Sequence, residues 1–159
     1  MEAKVRIFVA TTRRHGKVAY GASFEFKGRE AFGVGFVWGT QNTQAQMMGA
    51  MDSLEALSQA DPDVAADLIL RSEYLRDLWS MRQTRTINEK MGDKLRPARR
   101  PDDWERSHLL WAQHGRRIIK ARDADLAVLK SIGRKLEDLF ARPGSPLTAA
   151  KECRATFDL

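Results

Sequence analysis

Three strand-like segments within the first forty residues, joined by short connections, restrict the fold of this chain more than any other feature. In the first segment Val5, Ile7 and Val9 recur at every second position, which is the period of a β-strand. The other two segments are residues 19–26 and 31–38, with a polar turn at 11–17 and a hairpin loop at 27–30 between the three. Connections this short hold no helix, so the chain is predicted to begin with a three-stranded antiparallel meander.

Helices alternate with two further strands in the rest of the chain. The clearest pattern is a buried helical stripe formed by Met47, Met51, Leu54 and Leu57. The predicted elements, in order, are a helix at 44–59, a buried strand at 68–70 parallel to the first strand, helices at 72–79 and 102–113, a strand at 117–121 and a helix at 124–141. This order predicts an α/β fold with a mixed five-stranded sheet, a three-stranded antiparallel meander plus two parallel strands, and helices on both faces.

The composition fits one domain and excludes several classes of protein. A chain of 159 residues that is 43% hydrophobic can build one core, and we expect a domain over residues 1–142 and a loosely held tail over 143–159. The apolar runs are too short to span a bilayer and no secretory leader pattern opens the chain, which predicts a cytoplasmic protein. The lone Cys153 excludes a disulfide framework within these residues, and the histidines lack the spacing of a zinc site, so no metal or other cofactor is expected.

Positive charge is concentrated in one third of the chain. Lysine and arginine total 27 against 21 aspartates and glutamates, a net formal charge of +6. Residues 71–122 alone contain 14 lysines and arginines and 7 acids, a net of +7, so the remainder of the chain is close to neutral. A regional positive field favours a polyanionic partner, and the common alternative for such a segment is a solvated basic helix.

Short stretches of the sequence are similar to one known family. They are Tyr20-Gly21-Ala22, Gly28-Arg29-Glu30, Asn42 before the first helix, Ser53-Leu54-Glu55-Ala56-Leu57 within it, Ser72 and Tyr74 after the fourth strand, and Asp103-Trp104 at the start of a later helix. In this order and spacing, over residues 4–141, they resemble bacterial type 1 ribonuclease H. The resemblance implies the five-stranded fold and an activity in which four carboxylates hold two divalent metal ions across a scissile phosphate.

The positions that match the four carboxylates of that family hold no acid in this chain. By the resemblance they are Ala10, Gln46, Arg71 and Arg134, and residues 123–125 replace the family's histidine-containing loop. We therefore expect a catalytically inactive ribonuclease H-like protein, because a divalent cation needs carboxylate oxygens and is repelled by arginine.

Three acids remain near these positions. Asp52 faces elsewhere on the first helix. Asp138 lies one turn beyond Arg134, and Glu73 lies two residues beyond Arg71. Two alternatives stay open: a residual nuclease that uses Glu73 or Asp138, or arginines that simply pair with these two acids.

A charge-inverted cleft predicts an anion site, and together with the basic segment it predicts binding of nucleic acid, chiefly duplex DNA or an RNA–DNA hybrid. The candidate binding residues are Arg71 and Arg134 in the cleft, Arg13, Arg14, Lys17 and Asn42 at its rim, and Arg82, Arg85, Lys90, Lys94, Arg96, Arg99 and Arg100 in a protruding basic handle that the resemblance implies. Trp79 and Trp104 flank this basic segment, and we expect them to lie in the core rather than to stack on bases.

A different class of function stays open beside this one. The same fold can serve as a protein adaptor or a homodimeric scaffold that binds no nucleic acid. Its adaptable surface would come from methionines, for which core filling is the commoner use: Met47, Met48, Met51, Met81 and Met91. A stable homodimer or a co-purifying protein, with no nucleic acid retained, would distinguish this alternative.

Overall fold

The order of strands and helices in the structure follows the predicted order closely. The structure is a computed structural model, which describes residues 4–39, 41–72, 75, 79, 88–91, 94–97 and 100–159, without the side chains of residues 4, 88–91, 94–97 and 101. Its elements are β1 (Lys4–Arg14), β2 (Lys17–Phe26), β3 (Arg29–Trp38), α1 (Asn42–Ala60), β4 (Ala65–Leu70), β5 (Asn88–Met91), β6 (Lys94–Pro97), α2 (Pro101–His114), β7 (Gly115–Lys120), α3 (Ala124–Ala141) and a 3₁₀ turn at Pro146–Thr148.

Five of these strands form one mixed sheet, in the order β3-β2-β1-β4-β7. The first three strands pair antiparallel, and β4 pairs parallel to both β1 and β7. Every residue of β4 is buried, as expected for a parallel strand that helices cover on both faces. The predicted α/β fold class, a meander plus two parallel strands, is confirmed.

The first hairpin is tighter than predicted. Residues 11–17 are predicted as a turn, but β1 and β2 extend through most of that range, and only His15 and Gly16 form the turn. Both residues have a positive φ, as the two-residue hairpin turn that suits the twist of a sheet requires. The β-branched Thr11 and Thr12 favour an extended strand, which explains why the turn is short.

α1 covers one face of the sheet. Its buried stripe includes the residues predicted from their spacing, Met47, Met51, Leu54 and Leu57. Side chains of β1 that alternate along the strand, Val5, Ile7 and Val9, lie in the same core, as predicted. Trp79 and Trp104 are 3% and 5% exposed and belong to this core too, which confirms their predicted position.

α3 covers the other face. Ile132 and Leu136 point at the sheet, in one layer with Ala10 of β1 and Ile69 of β4. The helix approaches closely because β2 has Gly21 beneath it, where an added Cβ would lie 2.7 Å from Cγ2 of Ile132. None of the helices in the described part of the chain is long and apolar enough to cross a membrane.

The basic segment, residues 82–100, is described only in part. Where it is described, β5 and β6 pair antiparallel as a small sheet separate from the main one. The alternative of a solvated basic helix is therefore wrong for these two stretches. The helix predicted at 72–79 lies largely outside the described residues, although Leu75 and Trp79 are helical.

Residues 143–159, which we call the C-terminal strap, are not the loosely held tail expected from the sequence. Leu147 and Ala155 are buried. The backbone N–H of Phe36 on β3 donates to the carbonyl of Cys153 at 3.0 Å, so the strap forms a bridge to the edge of the sheet.

Candidate functional site

A cleft of about 380 Å³ opens beside the end of β4, where α3 crosses the sheet. It is lined by Ala10, Thr11 and Thr12 of β1, Arg71 directly after β4, and Leu129, Lys130, Gly133, Arg134, Glu137 and Asp138 of α3. Three of the four positions that the resemblance identifies, Ala10, Arg71 and Arg134, therefore lie together although they are far apart in the sequence.

The local backbone explains why these side chains meet. Ile69 packs in the layer beneath α3, and because strand side chains alternate between faces, Arg71 follows on the same side two residues later. On α3 the residues Lys130, Arg134 and Asp138 are spaced by four and form one row along the helix surface. The row on the helix and the end of β4 thus border the same cleft.

The cations that line the cleft have no acidic partner among the residues that the structure describes. Arg71, Lys130 and Arg134 are exposed, and no carboxylate oxygen of the described residues lies within 4.0 Å of their charged groups. Arg134 does not pair with Asp138 one turn away, so the alternative of a local ion pair is wrong for this arginine.

A rim arginine neutralises the second acid of the cleft. Nη2 of Arg14, at the end of β1, lies 2.6 Å from Oε2 of Glu137, an ion pair rather than an aligned hydrogen bond. Among the described residues of the lining, Asp138 alone then opposes three cations, so their summed charge is positive. Of the other predicted rim residues, Arg13 is exposed on β1 and Asn42 is exposed at the start of α1.

The donor set of the cleft does not fit a pair of divalent metal ions. Gln46, the fourth position identified by the resemblance, is buried in α1 and does not line the cleft. Asp138 is the one carboxylate among the described lining residues that no arginine neutralises, and it shares its helix surface with two cations. Across the described ranges, no three histidine, cysteine, aspartate or glutamate side chains come together as a metal-binding group. Glu73 lies outside the described residues.

Two residues predicted at the binding surface are engaged elsewhere. Lys17 is 9% exposed, and its Nζ donates to the carbonyls of Leu147 and Ala149 in the C-terminal strap, at 3.0 and 2.7 Å. Arg100 pairs with Glu152 of the same strap. Lys17 therefore does not extend the positive rim, and the charge of Arg100 is balanced by an acid.

The rest of the basic handle stays a prediction. Its members outside the described residues are Arg82, Arg85 and Arg99. Its members on β5 and β6, without described side chains, are Lys90, Lys94 and Arg96.

The three methionines whose side chains are described do not supply the surface proposed for an adaptor. Met47, Met48 and Met51 are at most 3% exposed and belong to the core under α1. Met91 lies on β5 without a described side chain, and Met81 lies outside the described residues. Core filling is therefore the role of the three methionines whose side chains are described.

A second polar cluster, on the α1 side of the sheet, is not predicted from the sequence. Oδ2 of Asp52 accepts hydrogen bonds from the Tyr20 hydroxyl at 2.5 Å and from the N–H of Ala155 at 2.9 Å. Arg154 donates to Oδ1 of Asp52 through Nε at 2.7 Å and through Nη2. The cluster ties the strap to α1 and β2, and Asp52 faces away from the cleft, as expected. An acid within an otherwise apolar helical stripe is the sequence feature that indicates such a buried partner.

Burial has the largest effect on the pKa values of Asp52 and Tyr20 in this cluster. It raises the pKa of Asp52 above its ordinary value, although the hydrogen bonds from Tyr20 and Arg154 act in the opposite direction. Burial, followed by the nearby charge of Asp52, also raises the pKa of the Tyr20 hydroxyl. The hydroxyl therefore stays protonated and remains a donor to the carboxylate.

The fold of this chain is similar to that of several solved structures. No family model and no curated protein matches the sequence. Among solved structures, RNase H1 from the halophilic archaeon Halobacterium salinarum has a TM-score of 0.56 at 17% identity, over 86% of this chain and 99% of that chain. The N-terminal RNase H domain of a Mycobacterium tuberculosis protein has a TM-score of 0.56 at 16% identity, over 83% of this chain and 95% of the other. The RNase H domain of prototype foamy virus has a TM-score of 0.53 at 8% identity, over 85% and 91%.

These matches define the class of the fold. The superpositions extend along 99%, 95% and 91% of the three solved chains, so the likeness covers nearly the full length of each domain. The protein has a ribonuclease H-like fold, which confirms the resemblance drawn from the sequence. At such low identity the likeness shows the fold alone, so what the cleft does must be argued from its own residues.

Proposed function

We propose that the protein binds nucleic acid without cleaving it, and that Arg71 and Arg134 hold backbone phosphates in the cleft. The observation that supports this most directly is the presence of two exposed guanidinium groups in one cleft, with no carboxylate partner in the described chain. The structures of similar fold are ribonucleases, and a nucleic-acid ligand is in keeping with that class.

Electrostatics favour an anion over a cation in the cleft. At about 5 Å and an effective dielectric constant near 20, two unit charges interact by about 3 kcal/mol. Two guanidinium groups and the ammonium of Lys130 therefore attract a phosphate and repel a divalent cation. Arginine presents a planar fork of donors that bonds two phosphate oxygens at once, and lysine adds a point charge.

Two further cations lie at the same end of the sheet as the cleft. Lys120 ends β7 and is the register partner of Leu70, the residue before Arg71, and Arg122 lies two residues beyond the strand. Lys120 and Arg122 are exposed and have no ion-pair partner among the described residues. A row of cations can follow successive phosphates regardless of base sequence, and duplex DNA or an RNA–DNA hybrid is the ligand that we expect foremost.

The residues at the positions that match the family's carboxylates argue against cleavage. Two-metal hydrolysis of a phosphodiester needs carboxylates that hold both ions and neutralise developing charge. In this chain the matching position on β1 holds Ala10, whose side chain is a methyl group, and the matching position after β4 holds Arg71. Neither side chain can bind a metal ion. We therefore expect no cleavage of any nucleic acid, with or without Mg²⁺.

Fluorescence anisotropy with labelled nucleic acids tests the proposal. Duplex DNA, single-stranded DNA, RNA and RNA–DNA hybrid are titrated without Mg²⁺ at salt concentrations from about 50 to 300 mM. The double variant Arg71→Glu/Arg134→Glu is expected to weaken binding about a hundredfold. The matched control is Lys27→Glu/Arg29→Glu, which makes the same change of net charge at the β2–β3 turn.

The outcomes separate the possible sites. Binding that falls steeply with salt and collapses only in the cleft variant supports the proposal. Equal losses of affinity in both variants would mean that binding depends on net charge and not on the cleft. Affinity that neither variant changes would indicate that the binding site lies in residues 82–100. No binding to any probe would overturn the proposal in favour of a protein adaptor or homodimer. Cleavage that a chelator abolishes would overturn the claim of inactivity.

A further inference from the structure

Trp38 is the one large aromatic side chain that is exposed in the described part of the chain. At the end of β3, 44% of its surface is accessible, whereas Trp79 and Trp104 are buried in the core. The other large exposed apolar side chains are aliphatic. An exposed indole offers a flat apolar face on which a planar ligand can stack.

The pairing of the strands places Trp38 at the same end of the sheet as the cleft. Arg14 of β1 is the register partner of Lys17 of β2, and Lys17 is the partner of Trp38. Register partners project to the same face, and neighbouring strands lie about 4.8 Å apart, so the Cα atoms of Trp38 and Arg14 are about 10 Å apart. Arg14 contacts Glu137 of the cleft at 2.6 Å. The indole is therefore on the face that α3 covers, close to the rim of the cleft.

The ring is held in a fixed position. It packs edge to face on Phe36, with ring centroids 5.7 Å apart and an interplanar angle of 89°. Nζ of Lys17 lies 5.0 Å from the centroid of the Trp38 ring, and hydrogen bonds to the C-terminal strap anchor that lysine. A ring that is already ordered loses little conformational entropy when a ligand stacks on it.

We propose that Trp38 stacks on an unpaired base of the nucleic acid whose phosphates lie in the cleft. This inference rests on the proposed function and adds that nucleic acid with a single-stranded segment makes a contact that a blunt duplex cannot make. Inside a duplex both faces of each base are covered by neighbouring bases, so only an unpaired base can lie on the indole. Stacking of this kind is tolerant of sequence, as is the contact of the arginines with phosphates.

Binding of two probes tests the inference: labelled oligo(dT) of about 20 nucleotides and a blunt DNA duplex of the same length. Trp38→Ala is expected to weaken oligo(dT) binding about tenfold and to leave duplex binding unchanged. Trp38→Phe keeps an aromatic ring and is expected to retain most of the affinity, which separates stacking from a loss of packing on Phe36. Leu109→Ala, which removes a side chain that is 52% exposed on α2, is the matched control and should change neither affinity.

Tryptophan emission supplies a second measurement that a merely structural role would not change. Oligo(dT) is expected to quench the fluorescence of the wild type, and the quenching should be absent in Trp38→Phe. Equal weakening of both probes by Trp38→Ala, or no weakening of either, would overturn the stacking role while the cleft proposal stands. Failure of the wild type to bind either probe would overturn both.

Discussion

Arginine is used in two opposite ways in this molecule. Arg154 of the C-terminal strap donates to Asp52, whose side chain is 1% exposed, and also pairs with Glu55 at 3.0 Å. Arg71 and Arg134 are exposed in the cleft, without a carboxylate partner in the described ranges. In this comparison the structural Arg154 is matched by a buried acid, whereas Arg71 and Arg134 lie where an anionic ligand can reach them.

Removal of the buried acid is expected to have the largest effect. Asp52→Ala removes the acceptor of the Tyr20 hydroxyl. It also leaves Arg154 with Glu55 as its remaining carboxylate and the N–H of Ala155 with only a 3.3 Å contact to the Tyr20 hydroxyl. We expect the free energy of unfolding to fall by about 3 kcal/mol, measured by urea denaturation. Asp63→Ala, at an exposed acid after α1, is the control. A loss no larger than that of the control would contradict the structural role of the pair.

Substitution of the cleft arginines is expected to weaken binding but to leave the stability of the fold almost unchanged. Arg71→Glu/Arg134→Glu should change the free energy of unfolding by less than about 0.5 kcal/mol, because both side chains are exposed and lack partners among the described residues. The same urea denaturation measures it, alongside the loss of binding. A destabilisation as large as that of Asp52→Ala would mean that these arginines are structural, like Arg154.

An acid introduced into the cleft should neutralise its arginines, as Asp52 neutralises Arg154 of the strap. Ala10→Asp puts a carboxylate in the lining that Ala10 shares with Arg71 and Arg134, and we expect nucleic-acid affinity to fall about tenfold in the absence of Mg²⁺. Ala10→Asn has the same shape without the charge and serves as the control. Equal losses in the two variants would assign the effect to crowding rather than to charge.

The smallest expected effect concerns pH. Because burial raises the pKa of Asp52 in the folded state, this residue contributes stability that is present below its unfolded pKa and is lost as pH rises through the folded value. The difference in unfolding free energy between wild type and Asp52→Asn is therefore expected to shrink as pH rises from about 4, the ordinary pKa of an aspartate, towards neutrality. Urea denaturation across that range measures it, and a difference that grows with pH would contradict the direction of the shift.

The order of strands and helices is predictable because each element has a local pattern. Alternation defines β1, and apolar spacing defines α1 and α3, so the fold class follows from the sequence. β5 and β6 lack such a pattern, since Met91 and Leu95 are four residues apart, a helical spacing, although they lie in different strands of one hairpin. The packing of the C-terminal strap could not be predicted for another reason, because the residues that it contacts lie far away in the sequence.

The site is predictable only in part, and only through the resemblance. Ala10, Arg71 and Arg134, which only the match to the family groups together, line one cleft in the structure, whereas composition and charge alone do not group them. Lys17 shows the limit, because a lysine beside a polar turn is ordinarily exposed. Here its amine bonds carbonyls 130 and 132 residues further along the chain. No local pattern specifies so distant a contact, nor the pairing of Glu137 with a rim arginine.

The dependence of binding on salt, compared between wild type and Arg71→Glu/Arg134→Glu on a blunt DNA duplex, tests the central claim most directly. Each phosphate that a protein neutralises contributes about −0.9 to the slope of log affinity against log salt concentration. We expect the slope of the double variant to be shallower by about 2, and the slope of Lys27→Glu/Arg29→Glu to equal that of the wild type. Identical slopes for wild type and the cleft variant would contradict the claim that these two arginines hold phosphates.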